Sequence, residues 1–186
     1  LVGYLRLWDV STASRVDHFV AISHYIARRI RKHYRRSCRV IYPPVETSFF
    51  QPRNEHEDYY LMVTAFAPYK RIDLAVEAFN LMGLPLMIVG SGQDERRLKA
   101  RARPNVRFLG WQSDERVRDL YAGCKAFIFP GEEDFGLAPL EAQAAGRPVI
   151  AYGRGGAMET IVPLNHQRNG TIPPNPPFVK GGRPSA

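Results

Sequence analysis

The sequence predicts an α/β fold, a parallel sheet with helices on both faces, and three observations carry that expectation. From residue 59 onward, short apolar runs alternate strictly with helix-favouring runs, the pattern of repeated strand-helix-strand crossovers. The apolar runs, of which Ala126, Phe127, Ile128 and Phe129 are the clearest, are continuous rather than alternating, as strands buried on both faces require. The links between them are short and punctuated by glycine and proline, which end each element before the next begins. With 186 residues, 45% of them hydrophobic, the chain can bury one good core and further pieces beside it.

Taken in order, residues 1–16 carry little pattern and read as the end of something that begins elsewhere. Residues 17–22 predict a strand, Ser23 a helix N-cap, and 24–34 a helix with an apolar stripe of Ile26, Ile30 and Tyr34 at spacing four. The main alternation follows: strand 59–65, helix 73–81, strand 85–89, helix 94–102, strand 105–109, helix 114–122, strand 126–129, helix 137–145, strand 148–151 and helix 157–162. The helix from Leu137 rests on Ala138, Leu140, Glu141, Ala142, Ala144 and Ala145; it tolerates Pro139 in its first turn and stops at Gly146. Beyond it, residues 163–186 hold six prolines and three glycines with no period, which predicts a flexible tail.

Composition and spacing exclude several classes. No apolar run reaches the length that crosses a bilayer, and residues 1–10 lack the basic start and apolar core of a signal peptide. Cys38 and Cys124 have neither C-x-x-C nor histidine partner spacing, which points to reduced thiols in a cytoplasmic chain rather than a metal site. The five histidines show no ligand or triad spacing, so neither a metal centre nor a Ser-His-Asp arrangement is expected. The net charge of +8 is local: residues 1–40 hold nine Lys or Arg against two Asp. Its densest part, Arg28, Arg29, Arg31, Lys32, Arg35 and Arg36, lies on and just after the 24–34 helix. A solvated helix face is one account, and peripheral contact with an anionic membrane is the other. Nucleic acid is not expected, because few aromatic residues are interleaved for stacking.

The stretch 129–149 concentrates the chemistry. Glu133 lies in the loop after the 126–129 strand and Glu141 one turn inside the following helix, about 6 Å along the axis from Leu137. The amides of Phe135, Gly136 and Leu137 sit at that helix start, an end that attracts phosphate through its donors and dipole. Carboxylates on either side of an anion site make sense if the ligand offers hydroxyls on both sides of its phosphates, since ionised carboxylates only accept hydrogen bonds. A nucleotide sugar has that layout of hexose, diphosphate and ribose. The plain alternative is a solvated Glu133 and an ordinary helix Glu141. A glycosidase reading would instead have the two carboxyls flank one glycosidic bond.

Ligands of such sheets bind at the carboxyl ends of the strands. Pro68-Tyr69-Lys70-Arg71 follows the first strand, so Lys70 and Arg71 stand where a diphosphate would approach, or form a solvated basic pair. Gly90-Ser91-Gly92 follows the second, but Glu95 occupies the position a third glycine would need, which disfavours a nicotinamide site and leaves a tight turn or a close ligand approach. Gly110 and Trp111 follow the third strand, and Trp111 reads equally as core or as a stacking wall.

E-D-F-G-L-A-P-L-E, from Glu133 to Glu141, resembles the E-x7-E signature of the retaining glycosyltransferases of family 4, and agreement extends over residues 15–161. The resemblance implies the Rossmann-like donor-binding half of a two-domain GT-B architecture. Residues 1–42 would be a remnant of the acceptor domain and crossover, 43–162 the nucleotide-sugar domain and 163–186 a tail. It implies that Glu141 binds ribose hydroxyls and Glu133 a hydroxyl of the transferred sugar. Lys70 and the amides of Phe135, Gly136 and Leu137 would hold the diphosphate, and Gly110 and Trp111 would line the base. The family's arginine five positions before the lysine is Ala65 here, which passes its charge to Arg71. The implied activity is retaining transfer of a hexose, with a mannosyltransferase flavour in PYKRIDLAVEAFN, from a nucleoside diphosphate sugar to a glycan or lipid-linked acceptor. No cofactor is implied beyond that donor substrate. The chain reads as truncated, and a non-catalytic nucleotide-sugar-binding fragment is the alternative.

Overall fold

Residues 1–164 are described in a computed structural model; the tail expected over 163–186 therefore falls, from residue 165 on, outside the described residues. Contacts divide the chain into two compact units, Leu1–Pro44 (with Leu164) and Val45–Pro163.

In the first unit, residues 2–12 correct the expectation of little pattern: Val2–Thr12 is a helix, α1. It buries none of its residues, and Leu1, Tyr4, Leu7 and Trp8 are all exposed. Its apolar and polar side chains are not sorted by face, so periodicity could not reveal it. The strand expected over 17–22 shrinks to Val20–Ala21 (β1), which pairs in parallel with Arg39–Val40 (β2). Between them His24–Tyr34 (α2) starts as predicted, with Ser23 Oγ accepting from the Ile26 amide at 3.0 Å. Ile30 is buried, and Tyr34 donates to Asp9 at 2.8 Å and stacks on Phe19. Arg36 departs from the solvated basic run: its guanidinium donates to the Val16 carbonyl at 2.9 Å and lies over the Phe19 ring.

The second unit carries the predicted parallel sheet. Its strands are Tyr60–Val63 (β3), Leu86–Val89 (β4), Val106–Gly110 (β5), Phe127–Phe129 (β6) and Val149–Ala151 (β7), in spatial order β5-β4-β3-β6-β7. Every pairing is parallel. Ile72–Met82 (α3), Glu95–Arg101 (α4), Asp114–Gly123 (α5), Leu137–Ala144 (α6) and Ala157–Thr160 (α7) follow the strands in turn. Alternation along the strands sorts the core into two layers. Met62, Leu86, Ile88, Val106 and Ile128 pack with Ile72, Val76, Phe79 and Leu98 of α3 and α4. Leu61, Val89, Phe127 and Phe129 pack with Leu120, Tyr121, Ala142 and Ala145 on the α5 and α6 side. Helix α7 is shorter than the expected 157–162, because Ile161 turns to extended backbone.

The Gly90-Ser91-Gly92 turn has a structural cause. Gly90 (φ +126°) and Gly92 (φ +158°) lie against the chain after β3, where an added Cβ would meet the Thr64 carbonyl at 1.9 Å and the Phe66 backbone at 2.6 Å. Phe66 donates its amide to the Ser91 carbonyl at 2.8 Å. The close approach that the glycines permit is thus made by the neighbouring loop. Before β7, Arg147 is 6% exposed and donates to the carbonyls of Arg53 (2.8 Å), Glu55 (2.7 Å) and Ala122. That residue ties the segment ahead of β3 to the end of α5.

Candidate functional site

The strand order reverses between β3 and β6: from β3 the chain proceeds outward through β4 to β5, and from β6 the other way to β7. The crevice at such a switch point, beyond the carboxyl ends of the strands, is where open α/β sheets bind ligands. Its walls are the loop after β3, closed by a 3-10 turn over Pro68–Lys70, and the acidic loop after β6. A cavity of about 390 Å³ borders these loops, lined by Tyr69, Arg71, Leu74, Pro130, Glu132 and Tyr152. A second one, about 470 Å³ and lined by Arg53 to Glu57 and Gly123, lies at the amino ends of the strands, away from every predicted site residue.

Lys70 and Glu133 meet across the switch point, with Nζ 2.5 Å from Oε1 and side chains only 16% and 20% exposed. Lys70 also lies over the Tyr69 ring, 5.0 Å from its centroid. Arg71 takes a left-handed backbone (φ +54°), and its Nε faces Asp73 at 3.4 Å while half the side chain remains in water. It borders the crevice without joining the Lys70–Glu133 pair.

Glu133 is fixed through its main chain. Its carbonyl accepts from the Gly156 amide at 2.7 Å, and a Cβ on Gly155 would sit 2.3 Å from the same oxygen. The glycine-rich loop after β7 is therefore moulded onto the acidic loop. Gly136 (φ +90°) is the N-cap of α6, and no side-chain oxygen caps that helix. Phe135 buries its ring in the domain and Leu137 is 44% exposed.

Glu141 is not part of that pair: its Oε2 accepts from the Tyr121 hydroxyl at 2.9 Å, from α5. Burial raises the Glu141 carboxyl above its ordinary value, the Tyr121 hydrogen bond opposes that rise, and Asp114 adds to it. Tyr121 is fully buried and wedged between Phe50 and Phe127; burial first, and Glu141 after it, push its hydroxyl well above the ordinary value. Sequence reasoning missed Tyr121. Its only signal was a tyrosine on the inward face of the 114–122 helix, indistinguishable from a core aromatic.

Gly110 and Trp111 stand at the end of β5, at the sheet edge and two strands from β3. Trp111 is 78% exposed, which removes the core alternative, and the Gly110 carbonyl accepts the Gly90 amide at 2.9 Å. The described residues thus bring Lys70 to Glu133 and leave Glu141 with Tyr121.

The pattern of the family described as glycosyl transferases group 1 matches residues 45–176. The chain belongs to this family. Among curated relatives of this group 1 chain, the O-antigen chain mannosyltransferase RfbU of Salmonella typhimurium is 28% identical over 93% of the chain and 51% of the relative. The GDP-mannose-dependent monoacylated alpha-(1-6)-phosphatidylinositol monomannoside mannosyltransferase of Corynebacterium glutamicum is 40% identical over 42% of the chain and 23% of the relative. Anabaena Alr3699/HepE, crystallised with UDP and glucose, superposes with a TM-score of 0.76 at 19% identity, covering 85% of this chain and 50% of that one. At that identity the likeness speaks to the fold, and it supports the Rossmann-like α/β class. The chain spans about half the length or less of the curated relatives it matches.

The Tyr121 contact gives a first expectation. Tyr121→Phe removes the hydrogen bond that favours ionised Glu141, costing about 1 kcal/mol of stability in denaturant unfolding at neutral pH. The deficit shrinks as pH falls and Glu141 takes up its proton above the ordinary carboxylate range. A deficit that stayed constant with pH would mean that the hydroxyl acts on packing alone.

Proposed function

We propose that this chain forms the donor-binding part of a retaining glycosyltransferase that moves a hexose from a nucleoside diphosphate sugar to a glycan or lipid-linked acceptor. The observation that carries it is the Lys70–Glu133 pair at the switch point, a phosphate-seeking cation and a hydroxyl-seeking carboxylate held at the place where such sheets take ligands. Lys70, Arg71 and the start of α6 at Phe135, Gly136 and Leu137 would hold the diphosphate. Glu133 would accept from a hydroxyl of the hexose and Glu141 from the ribose, with Gly110 and Trp111 beside the base. The bond from the sugar's anomeric carbon to the diphosphate breaks, the acceptor oxygen bonds that carbon and passes its proton to the departing diphosphate oxygen, and the positive groups stabilise the charge that develops on the diphosphate. No cofactor enters this reading.

The mannosyltransferase names among the relatives support mannose as the sugar, and GDP-mannose as a donor to try first. Arg28, Arg29, Arg31, Lys32 and Arg35, all exposed on or beside α2, suit a peripheral contact with an anionic membrane at the cytoplasmic face. No helix among the described residues is long and apolar enough to cross a membrane.

A second reading rests on the site itself, whose gathered residues Lys70 and Glu133 lie on the donor side alone: binding of the donor without transfer, because a donor wall by itself neither positions an acceptor nor excludes water. A thermal-shift screen with UDP, GDP, ADP, UDP-glucose and GDP-mannose tests the donor site. A nucleotide sugar present at 100 times its Kd raises stability by about 2.7 kcal/mol. Flat melting curves with all five at millimolar concentration defeat the proposal, and binding without transfer to a glycan acceptor selects the second reading.

A further inference from the structure

The Lys70–Glu133 contact does more than mark the site. Without ligand, each of these groups occupies the charge the other would offer to a donor. The Lys70 ammonium cannot meet a phosphate fully while it holds a carboxylate at 2.5 Å, and Glu133 cannot receive a sugar hydroxyl fully while it holds the ammonium. The backbones on both sides are fixed. Glu133 is held by the Gly156 amide, and Lys70 lies against Gly131, where an added Cβ would come within 3.0 Å of the Lys70 Cα and the Tyr69 carbonyl. Exchange of partners is therefore a matter of side-chain rotation within a rigid frame.

We propose, building on the donor-site reading above, that this ion pair makes the site select an intact nucleotide sugar over the bare nucleoside diphosphate. A nucleotide sugar breaks the pair and satisfies both halves, giving phosphate oxygens to Lys70 and a hexose hydroxyl to Glu133. A nucleoside diphosphate takes Lys70 alone and leaves Glu133, four-fifths buried, without its cation beside the added negative charge of the phosphates. Selectivity of this kind is a difference of two affinities, created by an unpaired charge in the wrong complex. After transfer the spent diphosphate is opposed by Glu133 re-forming its bond to Lys70, which favours product release.

Isothermal titration of the full chain and of Glu133→Gln with UDP, GDP, UDP-glucose and GDP-mannose tests this. Glutamine keeps the size of the side chain and removes its claim on Lys70. The variant binds the bare diphosphate matching the preferred base about three- to tenfold tighter than the wild type, and the preference for sugar-bearing over bare nucleotide shrinks by at least as much. Circular dichroism melting of the variant confirms that it is folded, and Glu133→Asp, which retains the charge, keeps the wild-type preference. If nucleotide binds to the wild type and Glu133→Gln binds the bare diphosphate no better, the selection device is refuted while the donor site stands. If neither protein binds any of the four compounds, both are refuted.

Discussion

Glu141→Gln is expected to weaken nucleotide-sugar binding by about 10- to 100-fold, the loss of a charged acceptor for ribose hydroxyls, while leaving the unliganded protein as stable as before or more so at neutral pH. The second half follows from linkage. The folded-state pKa of Glu141 is raised, chiefly by burial, so its stabilising contribution is full below the ordinary carboxylate range and is lost as pH rises through the raised value. At neutral pH the half-buried carboxylate is ionised at a cost, which Tyr121 only partly offsets at 2.9 Å and which the neutral amide avoids. Melting curves from pH 4 to pH 8 should show the variant gaining on the wild type as pH rises, with the donor-induced rise in melting largely gone. A variant that melts lower at pH 8 and binds donor normally would make Glu141 a structural residue.

Gly156→Ala should cost about 3 kcal/mol or more, the range of severe overpacking, and remove donor binding with it. Its new Cβ would lie 2.3 Å from the Phe135 Cα and 2.6 Å from that residue's amide nitrogen and carbonyl oxygen. Those are backbone atoms at the entry to α6, so relief requires displacing the acidic loop, including Glu133, whose carbonyl is bonded to the same Gly156. Gly153→Ala is the matched control. Its methyl would meet only the Met158 sulfur at 3.6 Å, an ordinary contact, and the change should stay within about 0.5 kcal/mol. Denaturant midpoints of the two variants decide the matter; equal midpoints would mean that the loop after β7 does not shape the acidic loop.

The parallel sheet was legible because burial on both faces forces continuous apolar runs, as in Phe127-Ile128-Phe129, and because glycine and proline mark the breaks between elements. Helix α1 was not legible. Its apolar side chains are exposed rather than gathered on one face, so no periodic signal exists to read. Among the site residues, Lys70 and Glu133 could be placed at strand ends from spacing alone, and Ser23 as a cap from its residue type. Tyr121 could not be found, since the hydroxyl that meets Glu141 looks in sequence like any buried tyrosine. The Gly90-Ser91-Gly92 turn was open to a ligand reading until the approach of Thr64 and Phe66 gave those glycines a structural cause.

Periodicity, breakers and residue chemistry by themselves determined the class of fold, the order of its strands along the chain and the identities of the charged groups at the loop tips, because each of these is a local property of the chain. Which loops face each other depends on the spatial strand order, in which β3 and β6 are neighbours although two strands separate them in sequence. Only that arrangement brought Lys70 to Glu133 and set Glu141 against Tyr121, for contacts between residues far apart in sequence arise from packing and leave no local trace.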